Sequence, residues 1–187
     1  MATPNPLQDN ILCAGMTAAE LTELAGACGE QAIGAGHVVL AAGDQQRRLY
    51  FLLNGTVQIE LETPRAGDRV LAELSAGSVF GESSFFHSAL HSATVRAVTD
   101  VTLLGLDRGR YEQLREARSS AALLLAANAA DLLSARLQQT DHFIIELLEA
   151  QQDVKNHAAW KKFREKLSHH FSSAKGVVAP GGMALGD

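Results

Sequence analysis

The chain has 187 residues, of which 47% are hydrophobic and 20% charged, and its net charge at pH 7 is −5. This composition is typical of an ordinary globular protein with one domain and an appendage. The two cysteines, Cys13 and Cys28, do not form a disulfide framework or zinc-site pattern and favour a reduced, cytoplasmic setting. No apolar run reaches about 18 residues, so the sequence predicts no transmembrane segment.

Cationic residues are concentrated near the C-terminus. All five lysines follow residue 154, and segment 155–175 holds six cationic residues against one acidic residue, Glu165. The rest of the chain is therefore acidic. This asymmetry predicts that the basic segment has a partner of its own, which can be the acidic body itself.

The first predicted elements are a flexible leader and a short helix. Residues 1–16 include Pro4, Pro6 and several polar residues, a composition that predicts little structure. Thr17 followed by Glu20 is the pattern of a capping box. We therefore expect a helix over about residues 17–26.

Between Gly36 and Leu106 the hydrophobic pattern has a period of two. Val57, Ile59 and Leu61 alternate with polar residues, as in a strand that buries one face. Short runs of this kind recur about every 8–12 residues with turn residues between them, a spacing typical of an antiparallel barrel or jelly roll. The predicted strands are centred on Val38–Leu40, Leu49–Leu53, Val57–Leu61, Val70–Leu74, Thr94–Val98 and Thr102–Leu106.

After the last predicted strand the period becomes helical. Tyr111 and Leu114 fit a short helix, and Ser119 or Ser120 can cap a longer one. Apolar residues recur along this longer helix at three- and four-residue steps, which predicts a coiled-coil-like seam through residues 120–148, a surface through which a homodimer can form. The seam comprises Leu123, Ala126, Ala130, Leu133, Leu137, Ile144 and Leu147.

Two features mark the C-terminal part of the chain. Thr140-Asp141 either interrupts the seam or caps a new helix. Residues 154–171 form an amphipathic basic pattern with Trp160 and Phe163 on one face. This helix packs on its own body, docks to a protein partner or an anionic membrane surface, or binds nucleic acid. The chain is thus divided into a flexible leader (1–16), a domain with a long C-terminal helix (17–139), an extra basic helical segment (140–171) and a disordered tail (172–187).

The stretch from Gly77 to Ala97 carries the clearest motif. It contains Phe80-Gly81-Glu82 and, after a short loop, Ala93-Thr94-Val95. This pattern resembles the phosphate-binding cassette of the cyclic nucleotide-binding domain family, which includes the catabolite activator protein and protein kinase A regulatory subunits. The resemblance extends over residues 17–137. It implies an eight-stranded antiparallel jelly roll, or double-stranded β-helix, flanked by N-terminal and long C-terminal helices.

The resemblance also implies roles for the residues of this stretch. Glu82 would accept a hydrogen bond from the ribose 2′-hydroxyl of a cyclic nucleotide, or else bond nearby backbone N–H groups. Gly81, Ser83 and Ser84 would turn a short helix towards the cyclic phosphate, or else form an ordinary capping turn. Family members carry an arginine where this chain has His91, which either grips phosphate more weakly or belongs to a vestigial pocket.

Three further residues complete the predicted site. Ser92 can donate to a phosphate oxygen, and Ala93 begins the strand that ends the motif. Arg136 lies on the long helix, from which family members reach the base, unless it is a solvated arginine or lies at a dimer rim. Arg96 cannot replace the missing arginine, because the alternation of its strand puts it opposite Val95. The predicted ligand is cAMP or cGMP, and no metal is expected.

There are three candidate functions for a chain with these residues. The first is a regulatory sensor that binds a cyclic nucleotide and reports it through its C-terminal helices. The second is a degenerate domain that binds no nucleotide and serves as an interaction scaffold. The third, a transcription regulator, is disfavoured because about 37 residues follow the long helix, too few for a helix-turn-helix domain, so a stand-alone domain without a DNA partner is expected. An enzyme is disfavoured as well, since the sequence has no evident nucleophile–base pair, phosphate loop or metal cluster.

Overall fold

A computed structural model describes the backbone of residues 5–63 and 67–150 and the side chains of residues 5–61 and 69–146. The predicted basic helix at 154–171, with the tail that follows it, lies outside the described residues. Their predicted structure and partner therefore stay predictions.

Helix α1 (Ala18–Ala27) is preceded by a 3₁₀ turn over Ile11–Cys13. It begins with the predicted capping box. The Thr17 side chain accepts a hydrogen bond from the Glu20 N–H at 3.3 Å, and the Glu20 carboxylate accepts one from the Thr17 N–H at 2.7 Å. The predicted N-terminal helix is therefore confirmed.

The expectation of a leader with little structure is wrong for residues 5–16. Leu7 and Leu12 are fully buried and belong to the same apolar cluster as the buried leucines of α1. Asn10 caps the 3₁₀ turn and donates to the Gly77 carbonyl oxygen at 2.9 Å. Burial of two leucines, about 1.5–3 kcal/mol each, outweighs the polar composition of the segment.

Eight antiparallel strands form two four-stranded sheets, with orders β1-β8-β3-β6 and β2-β7-β4-β5. The predicted eight-stranded jelly roll and all six predicted strands are confirmed. Strands β1 and β6 had no counterpart in the predicted runs, since β1 is largely exposed and β6 has only two residues. The strands are β1 (Gly29–Ile33), β2 (Val38–Leu40), β3 (Arg48–Asn54), β4 (Thr56–Thr63), β5 (Gly67–Ser75), β6 (Val79–Phe80), β7 (Thr94–Ala97) and β8 (Val101–Asp107), with a short helix α2 (Glu82–Phe86) between β6 and β7.

The sheets bury an apolar cluster on their inner faces. Val57 is fully buried, and it pairs in register with Ala97 of β7, which is 1% exposed. The Tyr50 and Phe80 rings stack with centroids 5.2 Å apart. Because side chains alternate between the faces of a strand, the neighbours of these residues point to the outer face.

Helices α3 (Arg108–Glu116) and α4 (Ser120–Ala150) follow the last strand. Ser119 caps α4, since its hydroxyl accepts from a backbone N–H of the first turn at 3.4 Å and donates to the Glu23 carboxylate at 2.7 Å. Helix α4 runs without a break through Thr140-Asp141. Neither the predicted interruption nor a new helix is found there.

Helix α4 has two apolar faces. One packs into the cluster shared with α1, through residues that include Leu125 and Ala129. The other is exposed: Leu123 and Leu137, both members of the predicted seam, are 62% and 57% exposed. The helix therefore has apolar surface left over after its packing on the body.

The chain divides into two compact units between Leu137 and Gln138, within α4. The predicted domain boundary at residue 139 stays a prediction.

Among the described residues, α4 over Ser120–Glu146 is the one helix long and apolar enough to cross a membrane. Core helices of soluble proteins meet the same criteria, so the predicted absence of a transmembrane segment is neither confirmed nor overturned.

Candidate functional site

A glycine turn sets the start of α2. Gly81 has φ +83°, in the left-handed region, and a Cβ placed on it would lie 2.5 Å from the carbonyl oxygen of Arg48. Both observations require glycine at this position. The chain can therefore leave β6, pass close to β3, and enter α2 with Glu82 as its first residue.

Glu82 is buried and paired. It is 6% exposed, and its Oε1 accepts a hydrogen bond from Nη1 of Arg136, on α4. The arginine side chain is 43% exposed. A buried carboxylate needs such a partner, because taking an unpaired charge out of water is costly. Arg136 was not identified as this partner from the sequence.

Ser84 and His91 form a second buried polar pair. His91 is 7% exposed, and its Nδ1 lies 2.9 Å from the Ser84 hydroxyl oxygen, which also lies 3.2 Å from the Gly81 carbonyl oxygen. A hydroxyl has one proton, so both contacts are satisfied when Ser84 donates to Gly81 and accepts from Nδ1–H. In the neutral ring this tautomer makes Nε2 an acceptor. Nε2 is enclosed and has no hydrogen-bond partner among the described residues.

The backbone of His91 is anchored on both sides. Its N–H donates to the Asp44 carbonyl oxygen and its carbonyl oxygen accepts from the Gly43 N–H, each at 2.9 Å. The loop after α2 is therefore held against the turn after β2 at this residue. The imidazole is positioned by the backbone as well as by Ser84.

One cavity of about 370 Å³ collects these groups. Its size falls within the ~300–1,000 Å³ typical of small-molecule sites. All eight residues predicted for the site line it; their role in binding stays a prediction. They are Gly81, Glu82, Ser83, Ser84, His91, Ser92, Ala93 and Arg136.

Apolar side chains that sequence reasoning did not assign to the site complete the cavity. Ile59 and Val95 lie on the inner faces of β4 and β7, and the alternation of those strands was the available signal. No comparable signal marked Leu90, in the loop after α2. Arg96 does not line the cavity, in agreement with its expected position opposite Val95. The remaining apolar walls are Leu40, Leu61, Leu71, Val79, Phe80 and Ala89.

Two arginines outside the cavity hold the far end of α2. Arg47 donates from Nη2 to the Phe85 carbonyl oxygen at 2.9 Å, and Arg108 donates from Nη1 to the same oxygen at 3.3 Å. The Arg108 guanidinium also lies 4.9 Å from the centroid of the Tyr111 ring, within cation–π range. The last carbonyls of a helix lack intrahelical partners, so these contacts satisfy them. Nothing in the local sequence pattern predicted either contact.

No metal or thiol chemistry is evident in the described part of the chain. It contains no group of three or more His, Cys, Asp or Glu side chains placed to hold a metal ion. His87 and His91 lie four residues apart in the chain, and they have no third ligand there to complete a metal site. Burial raises the pKa of the Cys13 and Cys28 thiols to about 12, so both stay protonated near neutral pH.

Comparison with known proteins agrees with the geometry. Residues 30–118 match the family model described as the cyclic nucleotide-binding domain, which confirms the resemblance drawn from the sequence. The chain is 25% identical over 113 residues to the CRP-like cAMP-activated global transcriptional regulator of Mycobacterium tuberculosis, covering 60% of this chain and 49% of that protein. It is 34% identical over 131 residues to Glutaminase 1 of Bradyrhizobium diazoefficiens, covering 70% of this chain and 21% of that protein.

Among solved structures, the catabolite activator protein of Thermus thermophilus superposes with a TM-score of 0.67 at 29% identity, covering 75% of this chain and 63% of that one. The chain thus spans about half or less of the length of the curated relatives named above. The similarity concerns one domain of those proteins, and their whole activities are not transferred by it.

Proposed function

We propose that this chain, whose residues 30–118 belong to the cyclic nucleotide-binding domain family, binds a cyclic nucleotide of the cAMP or cGMP type and acts as a regulatory sensor. The observation that carries the proposal is the convergence of Glu82, Ser84 and His91 on one cavity. These are positions at which the family resemblance implies ligand contact.

The cavity offers complementary groups for such a ligand. The Glu82 carboxylate is an acceptor for the ribose 2′-hydroxyl, and a carboxylate has lone pairs beyond the one that Arg136 occupies. The Ser92 hydroxyl is a candidate donor to the cyclic phosphate, and Nε2 of His91 is a second one in a ring that carries a proton on that atom. The apolar walls, including Ile59 and Val95, suit the faces of the base and sugar.

His91 sets the expected strength of binding. An arginine presents a permanently charged planar fork to phosphate oxygens, whereas histidine presents a weaker contact when it is neutral. Losing a charge-assisted contact costs about 1.5–3 kcal/mol, or roughly ten- to a hundredfold in affinity. We therefore propose weaker phosphate binding than an arginine at this position would give.

Helix α4 is the proposed reporter. Its Arg136 contacts Glu82 inside the cavity, so a ligand that engages Glu82 changes the contact that ties this helix to α2. The exposed apolar face, with Leu123 and Leu137, is proposed to bind a second copy of the chain or a protein partner. A shift of α4 would then alter that assembly.

A second candidate, an interaction scaffold that binds no nucleotide, is favoured by two contacts. Arg136 already satisfies one oxygen of Glu82, and Ser84 already satisfies Nδ1 of His91. These two contacts are made within the protein and help the cavity to keep its shape without a ligand. The two candidates therefore differ in ligand binding and share the fold.

Titration calorimetry with cAMP and cGMP at pH 7.5 tests the sensor proposal. The substitution His91→Arg should raise affinity at pH 7.5 about tenfold or more. The control is His87→Arg, the same chemical change on an exposed residue that does not line the cavity, and it should raise affinity little.

The outcomes separate the two candidates. Binding that improves with His91→Arg and not with His87→Arg supports the sensor and places phosphate beside residue 91. If neither nucleotide binds the natural protein or the His91→Arg variant at millimolar concentration, the scaffold is the better description. Circular dichroism should confirm that each variant is folded.

A further inference from the structure

The cavity contains an unusual set of charges for a pocket that takes an anion. Among the described residues that line it, Arg136 is the one permanent cation and Glu82 the one carboxylate, and the two are paired. His91 carries no permanent charge, and its Nδ1 is engaged by Ser84. The motif loop itself therefore brings no permanent positive charge to the ligand.

A buried carboxylate opposes the entry of an anion. Two unit charges about 6 Å apart in a partly shielded site repel enough to weaken binding by roughly a hundredfold. Glu82 is 6% exposed, so water shields it poorly. An anionic ligand can share this cavity only if the charge of Glu82 is compensated.

We propose that Arg136 provides this compensation and makes the cavity selective for an anionic nucleotide over a neutral nucleoside. The inference rests on the proposed function and assigns the cation of the site to α4, in place of the arginine that the motif lacks at residue 91. A guanidinium presents donors along a planar fork and can serve a carboxylate and a phosphate oxygen together. Arg136 is then a specificity-determining residue.

The partial exposure of Arg136 agrees with this role. Its side chain is 43% exposed while that of Glu82, which it contacts, is 7% exposed, and both residues line the cavity. An anion that enters to reach Glu82 must therefore come near this cation. A neutral ligand gains nothing from the same charge.

The alternative is that Arg136 acts as a plug, a side chain that blocks the access of a ligand to Glu82. If Arg136 occupies Glu82 at the expense of the ligand hydroxyl, its removal opens the site to any nucleoside. The two roles predict opposite signs for one substitution, which makes the test sharp. In the selectivity role Arg136→Gln weakens cAMP binding, and in the plug role it strengthens the binding of cAMP and adenosine alike.

Calorimetric titrations of the full chain with cAMP and with adenosine at pH 7.5 provide the test. For Arg136→Gln we expect cAMP affinity to fall tenfold or more while adenosine affinity stays within about twofold. Arg136→Lys keeps the charge and should retain most of the preference for cAMP. The matched control is Arg96→Gln, which removes an arginine paired with a glutamate outside the cavity and should change neither affinity.

Each outcome decides the inference. A rise in both affinities with Arg136→Gln identifies a plug, and unchanged affinities for both ligands remove Arg136 from the site; either result overturns the inference and leaves the proposed function in place. Failure of the natural protein and of His91→Arg to bind cAMP or cGMP overturns the proposed function and the inference with it. Equal losses for cAMP and adenosine show a structural role and overturn the selectivity.

Discussion

Two buried carboxylates in the jelly roll are each paired with an arginine, one on the outer face of a sheet and one in the cavity. Glu60, on β4, accepts from Nε and Nη2 of Arg96, on β7, at 3.0 and 3.2 Å, and from the Gln58 side chain at 2.5 Å. Glu82, on α2, accepts from Arg136, on α4. The ionic chemistry is the same in both places.

The two pairs differ in what holds them. The register of β4 and β7 places Gln58 opposite Arg96 and Glu60 opposite Thr94. The pairing of these two strands therefore brings Glu60 and Arg96 together. The cavity pair joins residues 54 positions apart on two helices, and it lies beside about 370 Å³ of open volume. A pair with both oxygens engaged by its own sheet is structural, whereas a pair facing a cavity is available to a ligand.

The largest expected effect concerns the backbone turn at Gly81, which positions Glu82 at the start of α2. Glu60 lies within a regular strand and has no such turn before it. Gly81→Ala forces an alanine into left-handed backbone and against the Arg48 carbonyl oxygen, so we expect a loss of about 3 kcal/mol in the free energy of unfolding. The control is Gly77→Ala, where φ is +90° but no atom lies within 4 Å of the added Cβ. It should cost about 1–2 kcal/mol. Urea denaturation measures both, and equal losses would contradict the steric argument.

An intermediate effect is expected on removing the sheet arginine. Arg96→Gln breaks the contacts to Glu60 and a hydrogen bond to the Gly36 carbonyl oxygen, and it should lower the free energy of unfolding by about 1 kcal/mol. Affinity for cAMP should stay within about twofold, because Arg96 does not line the cavity. Denaturation and calorimetry on one preparation check both statements. A large loss of affinity would erase the distinction between the two pairs.

The smallest effect concerns pH. Hydrogen bonds from Arg96 and then from Gln58 hold the pKa of Glu60 below its ordinary value. This stabilisation is therefore present above the unfolded-state pKa, about 4.3, and is lost as the pH falls through the folded-state pKa. Glu60→Gln should reduce the free energy of unfolding at pH 6 by less than about 1 kcal/mol. The difference from the natural protein, measured by urea denaturation, should shrink between pH 6 and pH 3; a difference that is constant with pH would count against the charged pair.

Most of the fold could be predicted from local patterns. The alternation of Val57, Ile59 and Leu61 and the regular turn spacing were sufficient for the central strands, and Thr17 with Glu20 was sufficient for α1. The prediction was wrong for the leader, where Leu7 and Leu12 are buried against elements far along the chain. Local composition does not report such long-range packing.

The candidate site was predictable in its membership and not in its contacts. The motif located Gly81, Glu82 and His91, and all three line the cavity. The ion pair between Glu82 and Arg136 and the hydrogen bond from Arg47 to the end of α2 could not be predicted, because no period or motif links residues so far apart.

By itself the sequence determined the strand alternation, the turn at Gly81 and the chemical groups of the motif, since these follow from short-range sterics and side-chain type. Only the tertiary structure decided which guanidinium meets which carboxylate. The reason is that a long helix returns over the sheets and brings Arg136 to Glu82, whereas Arg96 is committed to Glu60 by the register of its own strand.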